Sequence, residues 1–344
     1  MHSPSKPTFV YLGTPEFAIP ALKALLANAD WHVAAVITRP DKPAGRGQKL
    51  QAPPVKDFAQ ENEIPVFQPA SLKDIKLCHT GNKETTKAKC LSTTNAENTS
   101  LVEFLNSLPR LDAFISVAYG RIIPASLINF PSIGVINIHP SLLPRWRGAA
   151  PIQHTIFSGD AETGISIMLI DEGLDTGPVF CQKIVALKGN ESFGSLHALL
   201  AELGAKVLVE ALPDILSGKL TAKPQESEGA TYAAKWDKED TVINWQDSAD
   251  IIARRIRASS PEPGGRTFFC ETLLKVLKGH VVDNQNYLPA SPGTIVESNA
   301  GELVVASGDG QYLSIDEMQF PGRRCLPIRE IVKGYKFNIG DKFD

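Results

Sequence analysis

The sequence predicts an α/β fold in which a mainly parallel sheet carries helices on both faces, followed by a smaller all-β region. In the first half, short apolar runs alternate with amphipathic stretches, which is typical of β-α-β units. After residue 239, short strand-like pieces are separated by turn signals, which favours a small β-barrel or sandwich. The chain has 344 residues, and at about 150 residues per domain this length indicates two domains.

The predicted sheet of the first half is built from apolar runs that end in turn residues. Strands are predicted at 8–12, 32–37, 112–117, 134–138 and 164–170. Apolar residues at helical spacing between Phe17 and Leu26 predict a helix after the first strand. Because ligands bind beyond the carboxyl ends of the strands in such sheets, the segments that follow these strands are the candidate functional loops.

The rest of the chain is organised around a long helix, a polar stretch and the short strands. A helix predicted at 195–216 closes a first domain at 1–220, the polar stretch 221–238 suits a linker, and 239–344 is the second domain. In the second domain we predict one helix at 247–257 and strands at 267–270, 273–277, 293–296, 302–306 and 312–315. Residues 78–100 have almost no apolar content and predict a flexible surface insertion, because they cannot bury enough to offset their ordering entropy.

Composition and charge exclude several classes of protein. Hydrophobic residues make up 43% and charged residues 21%, as in ordinary globular chains. No apolar run reaches the roughly 18 residues of a membrane helix, and the start lacks the apolar core of a secretion signal, so we expect a cytoplasmic protein. The 35 basic and 38 acidic residues give a net charge of −3, which as an average argues against a polyanionic partner.

The five cysteines indicate reduced thiols rather than a disulfide framework. They are scattered, odd in number and form no C-x-x-C pair. Cys78, His79 and Cys90 could be imagined as part of a metal site, but their spacing matches no standard zinc pattern. We therefore interpret them as unliganded loop cysteines and expect no metal.

The densest chemical signal is the run from Asn137 to Gly148. Side chains alternate along a strand, so Asn137 and His139 point to the same face at the carboxyl end of a buried strand. A lone histidine in this position could simply be a satisfied core residue. Here the following residues hold two prolines around a short loop, and then two arginines flanking a tryptophan, which favours a functional site.

A second signal, 171–177, places carboxylates beside glycines just after a predicted strand. It could be an Asx-type turn and nothing more. A carboxylate near His139 would instead orient the imidazole. Asn, His and Asp together suit acyl transfer to an amine through a tetrahedral oxyanion. Since the sequence places no obvious covalent Ser or Cys nucleophile, we expect direct attack by a substrate amine.

A third signal is the basic segment 39–56, which holds five basic residues, one acidic residue and four prolines. Such a loop is often only solvated. A stiff cationic loop beside the ligand edge of the sheet could also bind a phosphate backbone. No G-x-G-x-x-G follows the first strand, which disfavours a dinucleotide site.

These residues resemble those of the methionyl-tRNA formyltransferases, over nearly the whole chain. The matching motifs lie at 13–17, 40–47, 117–120, 137–153, 173–177, 231–235 and 256–258. The Asn-x-His-Pro-Ser-Leu-Leu-Pro core is shared by the wider family of 10-formyltetrahydrofolate enzymes. The basic loop and the Arg-Trp-Arg-Gly-Ala-Ala-Pro-Ile-Gln continuation are more specific to the tRNA enzymes. The 78–100 insertion and the C-terminal tail depart from the family pattern.

The resemblance implies a Rossmann-like catalytic domain and a C-terminal barrel similar to an OB-fold that binds tRNA. It implies transfer of a formyl group from 10-formyltetrahydrofolate to the α-amino group of methionyl initiator tRNA, without a metal; we expect a monomer. By match of motif, the catalytic residues are Asn137, His139 and Asp175. The residues expected to line the folate site are Ser141, Leu142, Leu143 and Pro144. The residues expected to contact tRNA are Arg39, Lys42, Arg46 and Lys49.

Several alternatives share part of this pattern. A sugar-nucleotide formyltransferase or a formyltetrahydrofolate hydrolase would use the same Asn-His-Asp core but would have little use for the basic loop. A nicotinamide-dependent oxidoreductase is disfavoured by the missing glycine pattern. A catalytically silent RNA-binding module would leave the Asn-His-Asp set without a purpose.

Overall fold

The computed structural model describes residues 6–44, 49–80, 88–283, 287–299 and 301–344. The chain divides into two compact units. The first comprises Met1–Gly148, Gly164–Ile184 and Ala198–Tyr232, and the second comprises Ala149–Thr163, Val185–His197 and Ala233–Asp344. The second unit thus takes up two segments that lie before the expected linker at 221–238. None of the helices in the described ranges is long and apolar enough to cross a membrane.

The elements up to residue 216 follow one another as short strands and helices. The strands are β1 (Thr8–Gly13), β2 (His32–Ile37), β3 (Lys42–Ala44), β4 (Lys49–Gln51), β5 (Val66–Phe67), β6 (Lys76–Thr80), β7 (Ala88–Ser92), β8 (Ala113–Val117), β9 (Gly134–His139), β10 (Arg147–Gly148), β11 (Glu162–Leu169) and β12 (Val179–Ala186). The helices are α1 (Ile19–Leu26), α2 (Pro54–Glu61), α3 (Ala96–Ser107), α4 (Ala125–Ile128), α5 (Pro151–Ser158) and α6 (Phe193–Leu216), with a 3-10 turn at Glu16–Ala18.

The central sheet has the strand order β12-β11-β9-β8-β1-β2-β5. The pairs β1–β2, β1–β8, β2–β5 and β8–β9 are parallel, whereas β9–β11 is antiparallel. All residues of β1 and β8 are buried, as expected for parallel strands covered on both faces. In α6, a Cβ at Gly204 would lie 2.7 Å from Cγ2 of Ile138, so this helix packs directly on β9. The predicted mainly parallel α/β sheet is confirmed.

Residues 78–100 differ from the flexible insertion that their polarity predicts. Described residues on both sides of 81–87 pair as the antiparallel strands β6 and β7, and α3 begins at Ala96. Leu91 is buried against the sheet core, and the fully buried Asn98 donates a hydrogen bond of 2.8 Å to Asp74. Apolar burial of Leu91 and the hydrogen bonds that the Asn98 amide donates help to order residues 78–80 and 88–100, and residues 81–87 lie outside the described ranges.

The hairpin of β6 and β7 places Cys78 directly opposite Cys90. The interpretation of these residues as loop cysteines is wrong for their backbone, because each lies in a strand. Across the described residues, no group of three or more His, Cys, Asp or Glu side chains is arranged to hold a metal ion.

The second unit is dominated by an antiparallel sheet. The remaining strands are β13 (Tyr232–Ala233), β14 (Gly265–Phe269), β15 (Thr272–Val282), β16 (Ile295–Ser298), β17 (Leu303–Ala306), β18 (Tyr312–Gln319) and β19 (Leu326–Pro327), and the remaining helices are α7 (Ala249–Ser259) and α8 (Ile328–Ile331). The sheet order is β14-β15-β18-β17-β16, with β19 on β18. Ser248 caps α7 by accepting from the backbone N–H of Ile251. The buried face of α7 packs on the apolar core of this sheet.

The C-terminal residues join the two edges of this antiparallel sheet. At one edge, the backbone N–H of Phe268 donates to the carbonyl of Asp344 over 3.1 Å. At the other edge, the N–H of Phe343 donates to Gly293, and that of Ile295 donates to Asp341, over 2.9 and 2.8 Å. Pairing both edge strands with one segment satisfies groups that would otherwise be exposed. The C-terminal segment thus joins both edges of the antiparallel sheet, which agrees with the small β-barrel that the strand-like pieces predict.

Candidate active site

Strand β9 carries Asn137 and His139 at its carboxyl end, where both side chains are buried. In register, His139 lies opposite Ser166 and Asn137 lies opposite Met168 on β11. Among the described residues, no hydrogen bond joins the Asn137 carboxamide to another group. Its donor and acceptor are therefore available for a substrate.

The imidazole of His139 is held between a carbonyl and a carboxylate. Its Nε2 lies 2.9 Å from the carbonyl oxygen of Trp146, and its Nδ1 lies 3.7 Å from Oδ2 of Asp175. Because a carbonyl can only accept, Nε2 carries a proton and donates it to Trp146. The distance of 3.7 Å is too long for a hydrogen bond but allows an ion pair with protonated imidazole. Nδ1 is thus the ring nitrogen that faces the carboxylate.

Asp171 and Asp175, two of the three carboxylates in the 171–177 loop, have different contacts that the sequence alone does not distinguish. Asp171 accepts from the N–H of Gly173 over 3.0 Å and from the hydroxyl of Thr176 over 2.8 Å, so it forms an Asx-type turn. Asp175 instead accepts from the N–H of Gly148 over 2.9 Å and faces His139. Asp175 has a left-handed backbone with φ of 53°, which is uncommon outside glycine.

The loop that contains the predicted folate residues is fixed by side chains from neighbouring strands. The hydroxyl of the fully buried Ser141 donates to the carbonyl of Arg145 over 2.6 Å. Ser166 of β11 accepts from the N–H of Leu143 over 3.1 Å, and Gln182 of β12 donates to the carbonyl of Leu143 over 2.8 Å. Ser141 and Leu143 are therefore buried and hydrogen-bonded within the protein, whereas Leu142 and Pro144 are half-buried.

Gln225 and Thr231 were not predicted as site residues, because they fall in the stretch predicted as a linker, although Thr231 begins the matching motif at 231–235. Gln225 donates to the main-chain carbonyl of Asp175 over 2.8 Å. The hydroxyl of Thr231 accepts from the N–H of Trp146 over 2.9 Å. No periodicity or charge pattern marks either residue, so only the folded chain shows their proximity to the site.

The basic segment forms a hairpin of β3 and β4, in which Lys42 pairs with Gln51. Lys42 and Lys49 are exposed, whereas the Arg39 guanidinium turns back and donates to the carbonyl of Gly120 over 2.5 Å. Arg46 lies outside the described residues. The four predicted tRNA contacts are thus not equivalent, and Lys42 and Lys49 are the described ones that present a free surface.

The base of this hairpin is anchored and borders a pocket. The carboxylate of Asp41 accepts from Gln68 over 2.7 Å and from Lys56 over 2.8 Å, and these hydrogen bonds hold the pKa of Asp41 below its usual value. The pocket has a volume of about 270 Å³ and is lined by Thr14, Arg39, Pro40, Lys42, Gln51, Ala52, Pro53 and Pro54. The loop after β1 and the basic segment therefore meet at the ligand edge of the sheet.

Comparison with known families matches both units. Residues 8–212 match the family described as formyl transferase, and residues 235–336 match the formyl transferase C-terminal domain. Among solved structures, an N-formyltransferase from Helicobacter canadensis, in complex with folinic acid and dTDP-3-aminofucose, aligns with a TM-score of 0.63. The alignment covers 90% of this chain and 98% of that one at 19% identity, which supports the fold.

Relatives with higher identity carry one shared name. Methionyl-tRNA formyltransferase of Paraburkholderia phymatum is 43% identical over 97% of this chain and 96% of its own length. The protein of the same name from Aromatoleum aromaticum is 41% identical with the same coverage, and that from Legionella pneumophila is 39% identical over 96% of both chains. The chain therefore belongs to the formyl transferase family, and within it to the methionyl-tRNA formyltransferases.

Proposed function

We propose that this enzyme formylates the α-amino group of methionyl initiator tRNA with 10-formyltetrahydrofolate, by direct attack of the amine through a tetrahedral intermediate. The observation that carries this mechanism is the position of His139 between the Trp146 carbonyl and the Asp175 carboxylate, beside the Asn137 carboxamide. These groups supply hydrogen-bond donors and a proton acceptor at one edge of the sheet, without a nucleophilic side chain among them.

Asn137 and His139 stabilise the negative charge that develops on the formyl oxygen. Nε2 of His139 is committed to the Trp146 carbonyl, so the proton on Nδ1 is the one that the imidazolium offers to the oxyanion. The Asn137 carboxamide supplies a second, neutral donor. Removing one donor of this kind from a preorganised site typically lowers the rate by ~10²–10³.

Asp175 balances the charge and receives the proton. The amine attacks in its neutral form, and the new C–N bond leaves a proton on nitrogen that has to be removed. The Asp175 carboxylate lies 3.7 Å from Nδ1 of His139 and accepts this proton directly or through a water. The intermediate collapses as the bond between the formyl carbon and N10 breaks, and N10 takes up a proton as tetrahydrofolate leaves.

The binding residues complete the proposal. We assign the folate contacts to the 141–144 loop, in which the half-buried Leu142 and Pro144 offer apolar surface, and the tRNA contacts to Arg39, Lys42, Arg46 and Lys49. A folate-type donor is supported by two solved structures of this fold. The Helicobacter canadensis N-formyltransferase contains folinic acid, and HypX of Aquifex aeolicus contains tetrahydrofolic acid. HypX aligns with a TM-score of 0.57 at 15% identity, over 98% of this chain and 50% of that one. We expect a monomer that acts in the cytoplasm, where tRNA is used.

The decisive experiment measures formyl transfer from 10-formyltetrahydrofolate to methionine-charged initiator tRNA and to methionine-charged elongator tRNA. We expect transfer to the initiator species and much slower transfer to the elongator species, measured from the mass of the released amino acid. Transfer to neither tRNA, with turnover on an amino sugar nucleotide or release of free formate, would contradict the proposal and favour the corresponding alternative.

The proposed tRNA contact is tested separately with Arg46→Ala. We expect a higher KM for tRNA with the KM for the folate donor nearly unchanged, because the loop binds phosphates by charge. Lys206→Ala is the matched control, since Lys206 is an exposed lysine on α6 and its loss removes the same charge elsewhere. Equal losses for both substrates in Arg46→Ala would overturn the role of the loop.

A further inference from the structure

We infer that the segment 225–231, which the sequence presents as part of a linker, is a positioning element that sets the orientation of His139. It holds the main chain of both loops that contact the imidazole. This inference rests on the proposed roles of His139 and Asp175. It adds Gln225 and Thr231 as positioning residues for the reaction, and neither touches the reacting groups.

Gln225 joins the Asp175 loop to the loop after His139. Its Nε2 donates to the carbonyls of Asp175 and Gly177 over 2.8 and 2.7 Å. Its Oε1 accepts from Nε and NH2 of Arg147 over 3.0 and 2.8 Å. Both donors and both acceptor positions of the carboxamide are occupied, which fixes its orientation.

Only an amide of this length can both accept from Arg147 and donate to the carbonyls of Asp175 and Gly177. Arg147 is buried, with 8% of its surface exposed, and needs an acceptor. The carbonyls of Asp175 and Gly177 need donors. A glutamate would satisfy Arg147 but would place a carboxylate oxygen against two carbonyl oxygens. Gln225→Glu therefore keeps the bonds to Arg147 and removes the bonds to the two carbonyls.

Thr231 fixes the other side of the imidazole. Its hydroxyl accepts from the N–H of Trp146 over 2.9 Å, and its carbonyl accepts from the N–H of Arg147 over 2.9 Å. These bonds hold the peptide whose carbonyl accepts from Nε2 of His139. The segment therefore positions the Trp146 carbonyl, which faces Nε2, through Thr231. It positions Asp175, which faces Nδ1, through Gln225.

Both partners of the imidazole lie on residues with a left-handed backbone. Trp146 has φ of 62° and Asp175 has φ of 53°. Asp tolerates this region, whereas an L-residue such as Trp seldom adopts it, so surrounding bonds have to maintain the backbone of Trp146 in particular. Removing the bonds from Thr231 or Gln225 allows these residues to relax, and either relaxation turns a partner away from His139.

The test compares variants that keep or remove a single bond. Thr231→Val keeps the shape but removes the acceptor for Trp146, and Thr231→Ser keeps the hydroxyl. Gln225→Glu keeps the acceptor for Arg147 but removes both donors. Glu226→Gln is the control, because Glu226 is exposed in the same segment. The readouts are kcat, both KM values, the thermal midpoint, and the His139 Nε2–H signal in ¹⁵N-histidine spectra, assigned by its loss in His139→Ala.

We expect Thr231→Val and Gln225→Glu to lower kcat about tenfold, the range of one lost hydrogen bond, with both KM values within about twofold. Thr231→Val should also lose the slowly exchanging Nε2–H signal, while Thr231→Ser and Glu226→Gln retain both the signal and kcat. Unchanged kcat and an unchanged Nε2–H signal in Thr231→Val would overturn the inference, as would a fall in kcat matched by an equal rise in KM. The proposed function fails, and the positioning role stands, if the wild-type protein forms no formylmethionyl-tRNA but shows an Nε2–H signal that Thr231→Val lacks.

Discussion

Replacing Asp175 with asparagine tests whether the carboxylate acts in the reaction or only holds the loop. Asparagine tolerates the left-handed backbone that Asp175 adopts. Its side-chain oxygen can still accept from the N–H of Gly148, as the carboxylate does. Asp175→Asn therefore removes the negative charge and the proton acceptor while it preserves the local fold.

The magnitude follows from the separation of Asp175 and His139. At 3.7 Å and an effective dielectric constant of about 20, opposite unit charges attract by about 4.5 kcal/mol. This energy corresponds to about three powers of ten in rate. It is an upper bound, because 19% of the Asp175 side chain is exposed to solvent. We therefore expect kcat to fall by ~10²–10³, with the free energy of unfolding changed by less than about 1 kcal/mol.

Asp171→Asn is the matched control, because it removes the other aspartate carboxylate of the same loop. Asp171 accepts from Gly173 and Thr176 and does not contact His139. We expect Asp171→Asn to lower the thermal midpoint by a few degrees and kcat by less than about fivefold. Single-turnover formylation with both substrates saturating gives the rate of the chemical step. A rate for Asp175→Asn within threefold of wild type, or equal losses in the two variants, would refute the assignment.

Two further predictions concern buried tyrosines and the cysteine hairpin. Tyr119→Phe should raise the free energy of unfolding by ~1 kcal/mol, because the buried Tyr119 hydroxyl has no partner among the described residues. Tyr11→Phe should lower it by ~1 kcal/mol, because the Tyr11 hydroxyl donates to the carbonyl of Ala18. Equal destabilisation of the two variants in urea unfolding would contradict this difference. Burial raises the pKa of Tyr119 from 10.0 to about 12. The free energy of unfolding of the wild type should therefore fall as the pH rises from 10 to 12, and the part of this fall that Tyr119 causes should be absent in Tyr119→Phe. Oxidation with excess glutathione disulfide should link Cys78 to Cys90, since directly opposite antiparallel residues fall within disulfide range, and peptide masses showing only separate glutathione adducts would refute this register.

The sequence was sufficient to predict the strands whose two faces are both buried. Apolar runs at 8–12 and 32–37 coincide with β1 and β2 to within a residue, because parallel strands covered by helices need apolar side chains on both faces. The antiparallel direction of β11 was not predictable, since its alternation is the same in either direction. The described parts of the segment 78–100, which are 78–80 and 88–100, were mispredicted because average polarity hides Leu91, whose burial helps to order them.

The candidate site was predictable in its residue types but not in its geometry. Asn137 and His139 are two residues apart in a strand, so their common face follows from the sequence alone. Motif spacing indicated Asp175 but could not distinguish its task from that of Asp171. The carbonyl of Trp146 is a main-chain atom, and nothing in the residue type marks it as the partner of His139. That the trio is catalytic stays a prediction for the variants above.

The backbone of the site explains why a linker-like segment is needed at all. Trp146 and Asp175 are held in the left-handed region, at a cost of ~1–2 kcal/mol for Trp146 and less for Asp175, because aspartate tolerates this region. Glycine would avoid that cost at either position but would give the loops more conformational freedom and, at 175, would lack the carboxylate. The chain instead has Trp at 146 and Asp at 175, and the hydrogen bonds of Gln225 and Thr231 offset the free-energy cost of the left-handed backbone. The orientation of His139 therefore depends on residues about ninety positions later in the chain, so a change in the length of 225–231 should impair catalysis before it unfolds the sheet.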